Sequence, residues 1–287
     1  MPRPAPSPSN YVGRFAPSPT GALHFGSAVA AVASWLAARS AGGRWLVRVE
    51  DLDPPREVPG SAVNILATLA QLGLHSDAPL MYQSGRSEAY ADALSHLLSS
   101  GCAFHCTCTR RELAEYPIYP GNCRSKGSTI PTDQHSTRFL TNDPSIGDFV
   151  LRRADGYWAY QLAVVVDDIA QGITHVVRGA DLLDSTPRHL QLFKALGSPA
   201  PIYSHLPLAR TRAGDKLSKQ MFSQSIESAD PLSVWRDVLA FLHQPPPPHA
   251  IDTIEGLQNS AVAAWSPESI PAASNVRSHW LDGTSEN

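Results

Sequence analysis

The sequence predicts an α/β fold built on a mostly parallel sheet, and three observations predict it. Short apolar strand patterns alternate with helical patterns through the first hundred residues, the sequence form of parallel strands joined by covering helices. The first strand pattern runs into a turn set by Pro17, Pro19 and Gly21 before a helix opens, and such folds bind ligands at the carboxyl ends of their strands. The 287 residues are 43% hydrophobic and 17% charged, enough to fill a sizeable core.

Residues 1–9 are proline-rich and have the composition of a disordered tail. Residues 11–15 read as the first strand, and the alanine-rich run 27–40 as a buried helix stopped by Gly42 and Gly43. Residues 44–49 alternate as a strand with Trp45, Val47 and Val49 on one face. Helical patterns follow near 61–72 and 87–100, the second ended by Gly101. At Cys102 the pattern breaks into a cysteine-bearing insertion punctuated by Pro and Gly, expected over residues 102–147. Regular signals resume at 148–153, before an Asp155-Gly156 turn. Residues 173–177 read as another strand, and 187–196 as a helix begun by Ser185-Thr186-Pro187 and capped by Gly197. Asp230-Pro231 starts a helix whose Leu232, Trp235, Leu239 and Leu242 share a face, ended by the run from Pro245 to Pro248. A last helical piece covers 252–265. The expected organisation is an α/β domain over residues 10–230 interrupted by 102–147, a small C-terminal helical region over 231–270, and a second disordered tail over 275–287.

No run of about 18 apolar residues is present, and the start lacks the charged and apolar regions of a secretory signal, so a cytoplasmic protein with no membrane partner is expected; a monomer is expected too. Four cysteines, three of them clustered, point to a metal in a reducing compartment before disulfides. A net charge of −3 gives no global electrostatic case for nucleic acid. Any RNA contact is therefore local, with Arg110, Arg111, Arg124, Lys126, Arg138, Arg152 and Arg153 as candidates.

The chemistry is concentrated in the stretch from Arg14 to Ser27, where the turn opens a helix whose first residues include His24 and Ser27. Unpaired N–H groups and the positive end of a helix dipole attract anions, and Gly21 and Gly26 let a ligand approach the backbone, which outlines a phosphate site. Far downstream stands Lys216-Leu217-Ser218-Lys219-Gln220, on a glycine-preceded loop. Together with Arg48-Val49-Glu50-Asp51-Leu52-Asp53, Tyr160 with Asp167-Asp168, and Arg178-Gly179-Ala180-Asp181, these motifs make residues 10–235 resemble the glutamate-specific class I aminoacyl-tRNA synthetases. His24-Phe25-Gly26-Ser27 matches their first signature and the lysine segment their second. The general class I pattern ends the first signature in histidine, and Ser27 narrows the match to the glutamate branch.

The resemblance implies a Rossmann-like class I catalytic domain with a zinc-binding insertion. Too few residues follow Gln220 for the anticodon-binding region of the full-length enzymes. It therefore points to a shortened, ATP-dependent ligase that attaches glutamate to the queuosine nucleoside in the anticodon of tRNA(Asp). A shortened enzyme charging a tRNA 3′ end and a non-catalytic tRNA-binding relative are the alternatives. Activating a carboxylate with ATP means an in-line attack on the α-phosphate, which needs mainly electrostatic help. The implied providers are His24, Gly26 and Ser27 at the turn, with Lys219 foremost and Lys216 beside it over the triphosphate, magnesium accompanying ATP. L-glutamate presents two carboxylates and an ammonium. Arg14 and Arg178 are the implied carboxylate readers through their bidentate forks, Glu50 the ammonium partner and Tyr160 a hydroxyl and wall, with Ala16 and Ser18 completing the pocket. Full-length relatives tend to carry asparagine four residues after that tyrosine, where this chain has Val164.

Cys106-Thr107-Cys108 and Cys123 supply three thiolates, which favour zinc in a closed, four-coordinate structural site. By chemistry alone the fourth ligand is Cys102 or His105, both commoner zinc donors; the resemblance implies Tyr119.

Overall fold

The computed structural model describes residues 10–125, 135–208 and 225–272. Two strands, β1 (Val12–Phe15) and β2 (Arg44–Val49), pair in parallel, and the two-residue β3 (Met81–Tyr82) pairs in parallel with β2. The connections are helices: α1 (Phe25–Ser40) between β1 and β2, and α2 (Ser61–Gln71) between β2 and β3. After α3 (Ser87–Ser99) come β4 (Ala103–Cys106), β5 (Ser136–Phe139) and β6 (Phe149–Arg152), which form a separate antiparallel sheet. The chain then returns through α4 (Tyr160–Ala170) to β7 (His175–Gly179), passes through α5 (Thr186–Ala195), and pairs β8 (Ile202–Leu206) in parallel with β7.

Thr174 N–H donates to the Val12 carbonyl at 2.9 Å and the Tyr11 and His175 rings stack at 3.9 Å, which sets β7 beside β1. The spatial order is thus β3-β2-β1-β7-β8. The chain winds outward from β1 to β3, then restarts on the other side of β1 with β7. Such a reversal opens a crevice at the carboxyl ends of the two central strands, where α/β sheets place their ligands. Arg14 and Arg178 both lie at those ends.

Both faces of β2 are buried from Trp45 to Val49. Leu46 packs with Val12, Ile173 and Val176, while Arg48 is wholly enclosed. β2 has a neighbour on each edge and helices on its faces, the setting in which parallel strands are covered on both sides.

The main core packs α1 against β1, β2 and α2, and shares its interior with α6 (Pro231–Phe241) and α7 (Ile254–Ala263). Trp235 donates from Nε1 to the Leu72 carbonyl at 2.9 Å, closing the C-terminus of α2, and meets Trp35 edge-on. A second core joins α3, α4 and α5 to β5 and β6. No helix among the described residues is long and apolar enough to cross a membrane.

Candidate active site

The turn after β1 is fixed from several sides. The Ser61 hydroxyl donates to the Gly21 carbonyl at 2.6 Å and accepts from its N–H at 3.1 Å, while Pro17 and Pro19 carbonyls accept from Glu50 and Val58 N–H groups. Gly21 sits at φ +143°, where a side chain would be strained. His24 then caps α1 in extended conformation: Nδ1 accepts from Ser27 N–H at 3.2 Å, and Nε2 lies 3.2 Å from the Ser27 hydroxyl. An accepting Nδ1 leaves the proton on Nε2, on an exposed imidazole at a helix N-terminus.

His24, Gly26 and Ser27 line a cleft of about 560 Å³ together with Ala16, Ser18, Gly179, Asp181 and the segment from Leu206 to Leu208. Ser225 also lines it. Lys216 and Lys219 fall outside the described residues, as does Lys126. The described chain on either side of the lysine segment, at Leu208 and Ser225, therefore borders the same cleft as His24.

Beneath the turn lies a buried charge cluster at the β1–β7 crevice. Asp168 Oδ1 on α4 accepts from Arg48 Nη1 at 2.8 Å and Arg14 Nε at 3.3 Å, and Arg48 Nη2 donates to Glu50 Oε1 at 3.2 Å. Gln171 takes a further Arg48 hydrogen bond at 2.8 Å. Asp168 occupies only Nε of Arg14; among the described residues no hydrogen bond engages its two terminal nitrogens. Burial alone would raise the Asp168 carboxyl, but Arg14 and Arg48 hold it below the usual carboxylate range. Glu50 moves the other way: burial raises it, and Arg48 and Arg14 offset this only in part.

Arg178 is 4% exposed and hydrogen-bonds to neutral groups: Tyr160 Oη, His189 Nδ1, Thr186 Oγ1, the Leu182 carbonyl and His205 Nε2. Among the described residues no carboxylate lies within 4 Å of its nitrogens. Tyr160 is coupled electrostatically to Glu50, Arg178 and Arg14, and burial with the Glu50 charge pushes its phenol to about 12. Arg14, Glu50, Tyr160 and Arg178 are thus brought together, and Ala16 and Ser18 join them to the cleft. Among the described residues three guanidiniums, Arg14, Arg48 and Arg178, face two carboxylates, Glu50 and Asp168. Val164, one helical turn after Tyr160, is buried in the second core.

The residues that orient the cluster had no role assigned from the sequence: Arg48 and Asp168 stood there only as parts of motifs, and His189 and His205 were missed, with no local signal to mark them.

The cysteines converge as well. The sulfurs of Cys106, Cys108 and Cys123 all lie within 4.8 Å of one another. Cys108 and Cys123 are 3.6 Å apart, and Tyr119 Oη is 3.3 Å from Cys106 Sγ and 3.8 Å from Cys108 Sγ. A tetrahedral zinc with Zn–S near 2.3 Å and Zn–O near 2.0 Å has edges of roughly 3.8 Å for S···S and 3.5 Å for S···O. The donor set fits that ion. Cys102 instead lies 3.9 Å from the Ser100 carbonyl, and His105 pairs with Thr137 and meets the His135 ring at a tilt of 58°. Burial and hydrogen bonding to Cys123 push the Cys108 thiol to about 11; for Cys123, burial is outweighed by hydrogen bonds led by Tyr119, which hold it near about 6.

Of the arginines considered for RNA, Arg124 forms a two-pronged ion pair with Asp148, Arg153 pairs with Asp155, and Arg138 and Arg152 lie over Tyr119 and Trp158. Arg110 and Arg111 are exposed.

A family model for the catalytic domain of class I tRNA synthetases (E and Q) matches residues 11–128 and 123–238. The chain is 50% identical over 284 residues to the glutamyl-Q tRNA(Asp) synthetase of Xanthomonas campestris pv. campestris, covering 93% of this chain and 95% of that one. It is 49% identical over 278 residues to the protein of that name in Shewanella amazonensis, covering 92% and 95%. Among solved structures it is similar to a glutamate tRNA ligase from Elizabethkingia meningosepticum in complex with its amino acid, with a TM-score of 0.74 and 26% identity. That match covers 91% of this chain and 66% of the ligase, so the chain spans just under two thirds of the ligase's length.

Proposed function

Because the chain belongs to the glutamyl-Q tRNA(Asp) synthetases, within the class I tRNA synthetases for glutamate and glutamine, we propose that it uses ATP to activate glutamate. The glutamyl-adenylate then gives its glutamyl group to the queuosine nucleoside in the anticodon of tRNA(Asp). The observation that carries the substrate assignment is the excess of one positive charge among the described residues at the β1–β7 crevice, beside the histidine-capped helix start. Zwitterionic glutamate brings one net negative charge; glutamine brings none.

In this reading Arg14 and Arg178 take the two carboxylates and Glu50 takes the ammonium, with Tyr160, Ala16 and Ser18 closing the pocket. The reacting carboxylate then faces the cleft. His24 Nε2 donates to a phosphate oxygen, the backbone at Gly26 and Ser27 meets the triphosphate, and Lys219 with Lys216 supplies charge as pyrophosphate leaves. Magnesium travels with ATP and shields the triphosphate. Cys106, Cys108, Cys123 and Tyr119 hold a zinc that ties β4 to the segment after it, a structural service. The domain boundaries at 102–147 and 231–270 are part of the same reading.

The decisive experiment is glutamate-dependent ATP–pyrophosphate exchange without tRNA, followed by transfer of labelled glutamate. Exchange with glutamate, and label retained only by tRNA(Asp) that carries queuosine, is the expected result. No exchange would leave a binding protein, and label on a terminal ribose would make it a tRNA-charging enzyme.

A further inference from the structure

We propose that His189 and His205 are positioning residues: they hold Arg178 in a cage of electrically neutral acceptors, so that its charge is left for a carboxylate of the bound amino acid. This rests on Arg178 being a carboxylate reader.

Buried guanidiniums ordinarily pair with acids, because an uncompensated charge away from water is costly. Arg14 and Arg48 follow that rule through Asp168. Arg178, equally buried at the end of β7, breaks it. Its Nη1 donates to Tyr160 Oη and His189 Nδ1, both at 3.3 Å; Nη2 donates to the Leu182 carbonyl at 3.0 Å and Thr186 Oγ1 at 2.8 Å. Nε faces His205 Nε2 at 3.5 Å, and the Tyr203 ring lies under the guanidinium, 4.9 Å from its carbon. Among the described residues every hydrogen-bond partner orients the fork and none carries a charge that neutralises it.

The two histidines come from different elements, α5 and β8, and accept through different atoms. His189 uses Nδ1. His205 uses Nε2, which also takes the proton of Thr186 Oγ1 at 3.0 Å, since that oxygen already accepts from Arg178. Both must stay unprotonated to accept. Burial, then the Arg178 charge, lowers His189 to about 3 and lowers His205 as well, so the cage is neutral where enzymes work. An acid at either place would orient Arg178 equally well but would compete with the ligand for its charge.

The different accepting atoms give a crossed test. Asparagine carries its oxygen near the position of Nδ1 and glutamine near that of Nε2. In glutamate-dependent ATP–pyrophosphate exchange, His189→Gln and His205→Asn should raise KM for glutamate about tenfold. His189→Asn and His205→Gln should restore it to within about threefold, roughly half the energy of that tenfold change. KM for ATP should move little in any of them. His189→Asp keeps the acceptor yet adds a charge, and should raise KM for glutamate beyond the His189→Asn value. Equal effects of asparagine and glutamine at both positions, or aspartate matching asparagine, would overturn the cage. Arg178→Ala is run alongside: if it leaves KM for glutamate unchanged, the carboxylate-reader reading itself fails. Should the buried position 189 not tolerate exchange, the pair at half-buried His205 carries the test alone.

Discussion

Replacing Asp168 with asparagine should unfold the protein far more readily than its conservative shape implies. The side chain is 1% exposed, and its Oδ1 accepts from Arg14 and Arg48, themselves 4% and 0% exposed. As drawn, two guanidiniums meet two carboxylates, Asp168 and Glu50. The amide keeps the volume and one accepting oxygen but leaves one buried positive charge unmatched. Breaking a buried ion pair from one side costs about 3–5 kcal/mol. At about 2–4 °C per kcal/mol for a domain of this size, the melting temperature should fall by roughly 6–20 °C. Thermal melts and urea titrations followed by circular dichroism measure it, with Arg56→Ala as the control. Arg56 pairs with Asp53 at the surface with 75% of its side chain exposed, and its removal should cost under about 1 kcal/mol. If Asp168→Asn cost no more than the control, the cluster would not hold the crevice together, and the account of how Arg14 is aimed would be wrong.

Glu50, raised above its ordinary 4.5 by burial, should make KM for glutamate climb as pH falls through that raised value, because protonation removes the anion opposite the ammonium. The same shift sets a sign for stability: a raised folded value contributes fully below the unfolded one and is lost as pH rises through it. Glu50→Gln should therefore remove this pH-dependent part of the stability while raising KM, and melts across pH alongside kinetics test both. Lys219→Ala should lower kcat for exchange by about a hundredfold or more and leave KM for glutamate within a few fold, since its charge is used as the transition state forms. Elemental analysis should find one zinc per chain. In competition with a chromogenic chelator, Tyr119→Phe should release it more easily, whereas Cys102→Ala should not.

Much of the α/β layout was legible because its signals are local. Gly42 and Gly43 end α1, Gly101 follows α3, and Asp230, whose side chain accepts from Ser233 N–H, starts α6. What stayed hidden depended on distant partners. The run that forms α4 contains three consecutive valines, a strand-like stretch whose helical state is set by packing against α3 and α5. β8 has the alternating exposure of a strand but stands between prolines at 201 and 207, and no strand was expected there. The candidate site divides the same way. Motif residues at turns and strand ends were visible, whereas His189 and His205 carry no local mark, since only the fold brings α5 and β8 to the same arginine.

Helices α6 and α7 have a consequence for how this scaffold can be cut or extended. Val234, Trp235, Val238, Leu239 and Leu257 fill the same interior as α1, so ending the chain near residue 230 would expose the underside of the helix that carries His24. Engineers seeking a minimal catalyst should trim elsewhere: these helices are foundation, and an appended module has to be joined beyond them.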